Sequence, residues 1–241
     1  MSWEKAHDWY GRLVGVKGHE YHRTLLWPNL KELLPKQGSL LDFACGNGVL
    51  LEILGPKIEY LGIDCAPSLI AEAKKRNRGE FEIHDLQKPL DLGRQFDWVT
   101  CLLAYQNIQD SSALFENAKR HLKKGGHFLL VMNHPCFRIP RQSHWIDDME
   151  KKMRARRIDR YMSPLDIPIQ VNPGKGKSET LIHHHTPLST LFKVANNHSF
   201  AATRFDEWCS PKESEGKRQK MENRARAEIP LFLCIIFTQI D

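Results

Sequence analysis

The chain has no long apolar run. Its longest, Leu231 to Phe237, has the length of a strand, whereas a membrane-spanning helix needs about 20 such residues. The opening Met1-Ser2-Trp3-Glu4-Lys5 lacks a signal-peptide apolar region, so neither export nor membrane insertion is expected. No CxxC pair is present, and Cys45, Cys65, Cys101, Cys136, Cys209 and Cys234 are too scattered for a compact disulfide framework. Reduced thiols in a cytoplasmic setting are expected, most of them acting as small apolar side chains. There is no internal repeat and no low-complexity tract, and the net charge is a modest +6. With 41% hydrophobic residues among 241, the chain can bury the core of one large α/β domain with an embedded lid.

The most informative stretch is Leu40-Leu41-Asp42-Phe43-Ala44-Cys45-Gly46-Asn47-Gly48, followed by Tyr60-Leu61-Gly62-Ile63-Asp64. It reads as a buried strand, a glycine turn, a helix and a second strand ending in an acid. Glycines at such a turn let the backbone approach a nucleotide-like ligand, and the acid can accept hydrogen bonds from both ribose hydroxyls. Asp64 lies 18 residues beyond Gly46, close to the ~20 of a dinucleotide site. The third glycine of that pattern is missing, and Leu51 stands in its place. The departure shifts the reading from a pyrophosphate to a ligand without phosphates.

Elements alternate along the chain. Aromatic-rich helices before residue 37 are predicted to cap the ligand edge. Strands are predicted at Ser39–Ala44, Ile58–Asp64, Phe81–His84, Phe96–Leu103 and His127–Met132. Helices are predicted through Val49–Leu54, from Ala66-Pro67-Ser68 to near Asn77 and Gly79, and over Ser112–Lys123, the last stopped by Gly125-Gly126. Residues 133 to 186 break the alternation, with a Pro-Gly-Lys-Gly-Lys turn at 173 to 177, and read as an irregular lid. The basic run Lys151, Lys152, Arg154, Arg156, Arg157, Arg160 reads first as a solvated helix face and second as a docking face for an anion or nucleic acid. A helix over Leu188–Asn196 and strands over Phe200–Phe205 and Pro230–Thr238 complete the chain, with the polar stretch Ser210–Glu228 before the last strand.

In order and spacing, residues 38 to 135 resemble the class I S-adenosylmethionine-dependent methyltransferases. The resemblance is carried by Asp42 to Gly48, Gly62-Ile63-Asp64, His84-Asp85-Leu86, Phe96-Asp97-Trp98-Val99 and Leu122-Lys123-Lys124-Gly125-Gly126. It implies a doubly wound, Rossmann-like α/β fold: a seven-stranded, mostly parallel sheet with helices on both faces, an N-terminal helical cap, and a lid insertion after strand five. Its parts are expected at 1–36 (cap), 37–135 (cofactor half), 136–187 (lid) and 188–241 (substrate half). S-adenosylmethionine is the implied cofactor. Asp42, Ala44, Cys45, Gly46 and Gly48 would line its methionine part, Asp64 its ribose, and Cys65, Asp85 and Leu86 its adenine. Cys101 and Leu102 would form the floor, and Gln106 would hydrogen-bond cofactor or acceptor.

Beyond strand five, His134-Pro135-Cys136-Phe137-Arg138-Ile139-Pro140-Arg141 and the later His183-His184-His185-Thr186-Pro187 resemble a bacterial subgroup of these enzymes. His134 and His184 are expected to receive the acceptor's proton, since histidine titrates near neutral pH. Arg138 and Arg141 are expected to clamp an acidic group. No metal is expected at the histidine triplet, because adjacent residues of an extended chain point in opposite directions. The leading expectation is methylation of a small molecule. RNA or protein is the alternative, weakened by Tyr105-Gln106-Asn107 standing where many amino-directed nucleic-acid methyltransferases carry an Asn-Pro-Pro-Tyr-type motif. A non-catalytic cofactor-binding scaffold is the third reading.

Overall fold

The computed structural model describes residues 2–15, 17–76, 78–171 and 179–240. Helix α1 (Ser2–Val14), a π-helical turn (His22–Leu26) and helix α2 (Trp27–Leu33) precede the sheet. Then follow β1 (Gly38–Phe43), a 3-10 turn (Val49–Glu52), β2 (Ile58–Asp64), α3 (Pro67–Arg76), β3 (Glu80–Ile83) and β4 (Phe96–Leu102). A second 3-10 turn (Tyr105–Asn107), α4 (Ser111–His121) and β5 (Leu122–Asn133) complete the first half. The insertion holds two hairpins, β6 (Ser143–Asp148) with β7 (Met153–Ile158) and β8 (Leu165–Gln170) with β9 (Thr180–His185). Last come α5 (Leu188–Asn197), β10 (Phe200–Trp208), α6 (Gln219–Glu228) and β11 (Phe232–Gln239).

The main sheet has the order β3-β2-β1-β4-β5-β11-β10. Neighbours from β3 to β5 are parallel, and β11 runs antiparallel to both β5 and β10. Both faces are covered, so the strands are apolar on alternate residues of each side. In β11, Phe232, Cys234 and Ile236 join the core beneath α2 and α3, whereas Leu233, Ile235 and Phe237 join the core beneath α4 and α5. Each such side chain stabilises the fold by about 1.5–3 kcal/mol on burial. Crossovers leave β1 and β4 in opposite directions, so a crevice opens where their carboxyl ends part.

Several predicted elements change. The helix after strand one is only a 3-10 turn, because Gly55-Pro56 follows closely and proline bars the helical region to the residue before it. Helix α4 stops at His121, ahead of the two glycines, which fall within the β5 span. There Gly125 (φ +76°) sits at a register shift against β4. The segment expected to be an irregular lid instead pairs β6 with β7 and β8 with β9. Its basic run is not a helix face but the turn and second strand of the first hairpin, with Arg154 bridging Asp147 and Glu222. The predicted turn at 173 to 177 and the helix end at Asn77 lie outside the described residues.

The N-terminal helix is fastened over the carboxyl edge. Glu4 accepts hydrogen bonds from the Ser68 amide (3.1 Å) and hydroxyl at the start of α3. Ala6, Trp3 and Trp9 pack against Leu181, Ile169 and Val171 of the second hairpin.

Candidate cofactor and acceptor site

The segments leaving β1, β2, β3 and β4 surround a cavity with about 830 Å³ of empty space, counting its open mouth. Ala44 and Gly46 contribute from the first turn, Asp64 and Cys65 from the second, Asp85 and Leu86 from the third, and Leu102 to Ala104 from the fourth. Trp3 and Tyr10 of α1, with His22, close it from above. Two residues here are strained: Ala44 (φ +54°) and Leu103 (φ +55°) take the left-handed conformation that costs a non-glycine residue about 1–2 kcal/mol. Gly46 (φ +57°) takes it without that cost, and a Cβ there would stand 2.8 Å from the Tyr10 hydroxyl.

Asp64 is the best-anchored polar group of the cavity. Its Oδ2 accepts from the Gly46 amide and its Oδ1 from the Ala66 amide, both at 2.9 Å. Burial raises its pKa, and the backbone bonds oppose that shift. The Cys65 amide also bonds the carboxylate, which still has acceptor capacity for a ligand hydroxyl. Asp85 accepts from the Gln87 amide through Oδ1 at 3.1 Å. Cys65 is pushed up to about 11 by burial, so the thiol is an apolar wall. His22 accepts the His19 amide at Nδ1 (3.1 Å), which leaves Nε2 as a donor, and burial lowers its pKa to about 4. Among the described residues, two carboxylates line the cavity and no lysine or arginine does.

Five residues expected against the cofactor stand elsewhere. Asp42 is buried behind the turn, its carboxylate accepting from the Tyr60 and Thr100 hydroxyls, each at 2.7 Å. It therefore ties β1 to β2 and β4, and burial pushes its pKa up to about 7. Cys45 is packed into the space that Gly62 leaves open, where an added Cβ would lie 2.7 Å from its Sγ. Cys101 is wholly buried in the core, and Gly48 (φ +76°) caps the 3-10 turn. Gln106 lines a second recess beside the first, along the 103–108 loop. Conversely, Trp3, Tyr10 and His22 line the cavity although the sequence marked their segments only as a cap; they lie far from the motif string and carry no local signal.

The two expected bases differ in their surroundings. His134 is buried; its Nδ1 accepts from the Cys136 amide (3.2 Å) and its Nε2 donates to Glu207 (2.7 Å). Both nitrogens are thus engaged, and the ring braces the loop after β5. Desolvation lowers its pKa, partly offset by Glu207. His184 bonds Asp166, its cross-strand neighbour, through Nδ1 at 2.6 Å, leaving Nε2 open. His183, His184 and His185 all reach the second recess. Among the described residues, no three His, Cys, Asp or Glu side chains converge as a metal site requires.

A family model described as a methyltransferase domain matches residues 18–167. An S-adenosylmethionine-dependent methyltransferase structure from Mesorhizobium loti superposes with a TM-score of 0.66 at 25% identity, covering 88% of this chain and 97% of that one. Among curated proteins, the chain is 34% identical over 91 residues to the dTDP-3-amino-3,6-dideoxy-alpha-D-glucopyranose N,N-dimethyltransferase of Streptomyces fradiae, 36% of each chain. It is 28% identical over 130 residues to the demethylmenaquinone methyltransferase of Staphylococcus saprophyticus, 48% of this chain and 54% of the relative. The chain spans about half the length, or less, of these two curated relatives. With the sheet order and the glycine turn already in place, the chain belongs to the methyltransferase domain family.

Proposed function

We propose that the protein transfers a methyl group from S-adenosylmethionine to a small-molecule acceptor. The observation that carries the reading is the composition of the cavity wall among the described residues: two carboxylates, a left-handed glycine turn, and no lysine or arginine. Such a wall repels a pyrophosphate and favours a phosphate-free nucleoside bearing positive charge. Bound there, the cofactor would supply a methyl group made electrophilic by its sulfonium.

In this proposal Ala44 and Gly46 bring backbone against the methionine portion, and Asp64 accepts from the ribose hydroxyls. Leu86 and Cys65 flank the adenine, while the free Oδ2 of Asp85 accepts from its amino group. Leu102 and Leu103 form the apolar floor, and Asp42, Cys45, Gly48 and Cys101 support the turn from behind. Trp3, Tyr10 and His22 exclude water above it, so that catalysis is mainly positioning. His184, held by Asp166, keeps an open nitrogen for the acceptor's proton, whereas His134 positions the loop that follows β5. The His134 to Arg141 segment supports membership of the bacterial subgroup named above, and the six free cysteines support a cytoplasmic setting.

Incubation with methyl-labelled S-adenosylmethionine and a panel of amines, phenols and acids, run beside total RNA and protein, tests this. Label on a small acceptor is the expected result; label confined to macromolecules would overturn it.

A further inference from the structure

The second recess lies between the loop after β4, the loop after β5 and the end of β9. It is a small, open recess, with about 330 Å³ of empty space counting the solvent at its mouth. Leu103 and Ala104 line the cofactor cavity, and the next two residues, Tyr105 and Gln106, line the recess. The two spaces are thus neighbours that share one short segment.

Two groups in the recess have unmet needs. Gln106 is 9% exposed; its Nε2 donates to the Leu103 carbonyl at 2.6 Å, and its buried Oε1 has no partner. Stranding such an acceptor costs about 1–3 kcal/mol, which a ligand's donor would relieve. Arg138 is half-buried, and among the described residues its guanidinium has neither a carboxylate nor a hydrogen-bond partner. Desolvation of the charged form lowers its pKa. The neighbouring Arg156 adds positive potential, although its own donors are engaged by the Phe137 carbonyl (2.9 Å) and the Ser143 hydroxyl (2.7 Å). Among the described residues, no Asp or Glu lines the recess. Its buried histidines do not compete for an anion, since His183 is lowered to about 4 by burial and His185 is lowered as well.

We propose that the acceptor is a small carboxylic acid bearing an adjacent hydroxyl or amine. Its carboxylate pairs with Arg138 in this recess, and the adjacent O–H or N–H donates to Gln106 Oε1. The inference rests on the methyltransferase reading above. One free guanidinium, a planar fork with a single positive charge, suits a carboxylate better than a phosphate dianion.

The test uses the full chain saturated with S-adenosylhomocysteine. Small hydroxy- and amino-carboxylic acids, each beside its neutral amide and a matching phosphomonoester, are titrated and followed by calorimetry. The expected result is an acid that binds at least tenfold more tightly than its amide and phosphate analogues. Arg138→Gln should remove that discrimination while S-adenosylhomocysteine affinity stays as in the wild type. Gln106→Leu should weaken the same acid at least tenfold while its preference over the amide, which Arg138 sets, is kept, a split that a purely structural glutamine would not give. Equal binding of acid and amide, preference for the phosphomonoester, binding by no panel acid, or an unchanged acid preference in Arg138→Gln would each overturn the proposal. If wild type fails to bind S-adenosylhomocysteine at all, the underlying methyltransferase reading fails instead.

Discussion

Replacement of Asp64 probes the cofactor cavity at its most constrained point. Asp64→Ala would strand two buried amides, those of Gly46 and Ala66, at about 1–3 kcal/mol each. That is a large part of a typical stability of about 5–15 kcal/mol, so the alanine variant confounds folding with binding. Asp64→Asn is the sharper perturbation. Its amide oxygen still accepts one of the two N–H groups, while its NH₂ faces the other donor, so only one bond is lost from the fold. A ribose hydroxyl bonded to the carboxylate loses a charge-assisted hydrogen bond of about 1.5–3 kcal/mol. The Kd for S-adenosylhomocysteine should therefore rise by about 10- to 150-fold. Calorimetry below the variant's Tm, with circular dichroism confirming the fold, reads this directly. A Kd within about twofold of wild type, in a variant whose Tm has fallen, would show that the carboxylate serves the turn and does not meet the ligand.

Further outcomes follow from the same geometry. Gly46→Arg places a side chain against the Tyr10 hydroxyl and into the cavity, so cofactor binding should vanish while the far-ultraviolet spectrum is retained. Asp42 is raised from 3.8 to about 7 by burial, so the native state binds more protons than the unfolded state in that window. Its contribution to stability is then greatest at low pH and declines as pH rises toward 7. Denaturation of wild type and Asp42→Asn across pH 4 to 8 should show wild type losing ground to the variant as pH rises, and a constant difference would contradict the burial argument. Glu4→Ala removes both bonds that fasten α1 to α3; faster amide exchange in residues 2–14 and weaker S-adenosylhomocysteine binding are expected.

The parts of the fold that were legible in the sequence are local. The run from Leu40 to Asp64 states its strand, turn and strand within 25 residues, and glycines at 46 and 48 mark left-handed positions directly. The role of Asp42 was not legible, because it depends on Thr100, 58 residues away, arriving opposite it in register. The hairpins escaped for a different reason. Strands β6 and β7 are charge-dense and only half-buried on one side, so Ser143–Asp148 and Met153–Ile158 present no apolar alternation to read. The histidine triplet and the His134 loop were correctly marked as unusual, but which nitrogens remain open is decided by Glu207, Cys136 and Asp166. Those partners are fixed by tertiary packing that no local spacing reveals.

The central claim is that the crevice at the carboxyl ends of β1, β2, β3 and β4 takes a phosphate-free adenosyl sulfonium. Calorimetric titration of the wild-type chain with S-adenosylmethionine, S-adenosylhomocysteine and adenosine diphosphate tests it most directly. One-site binding of the first two, with no measurable heat from the diphosphate, is the predicted result. A diphosphate that binds as well as the sulfonium, or a chain that binds neither adenosyl compound, would contradict the account.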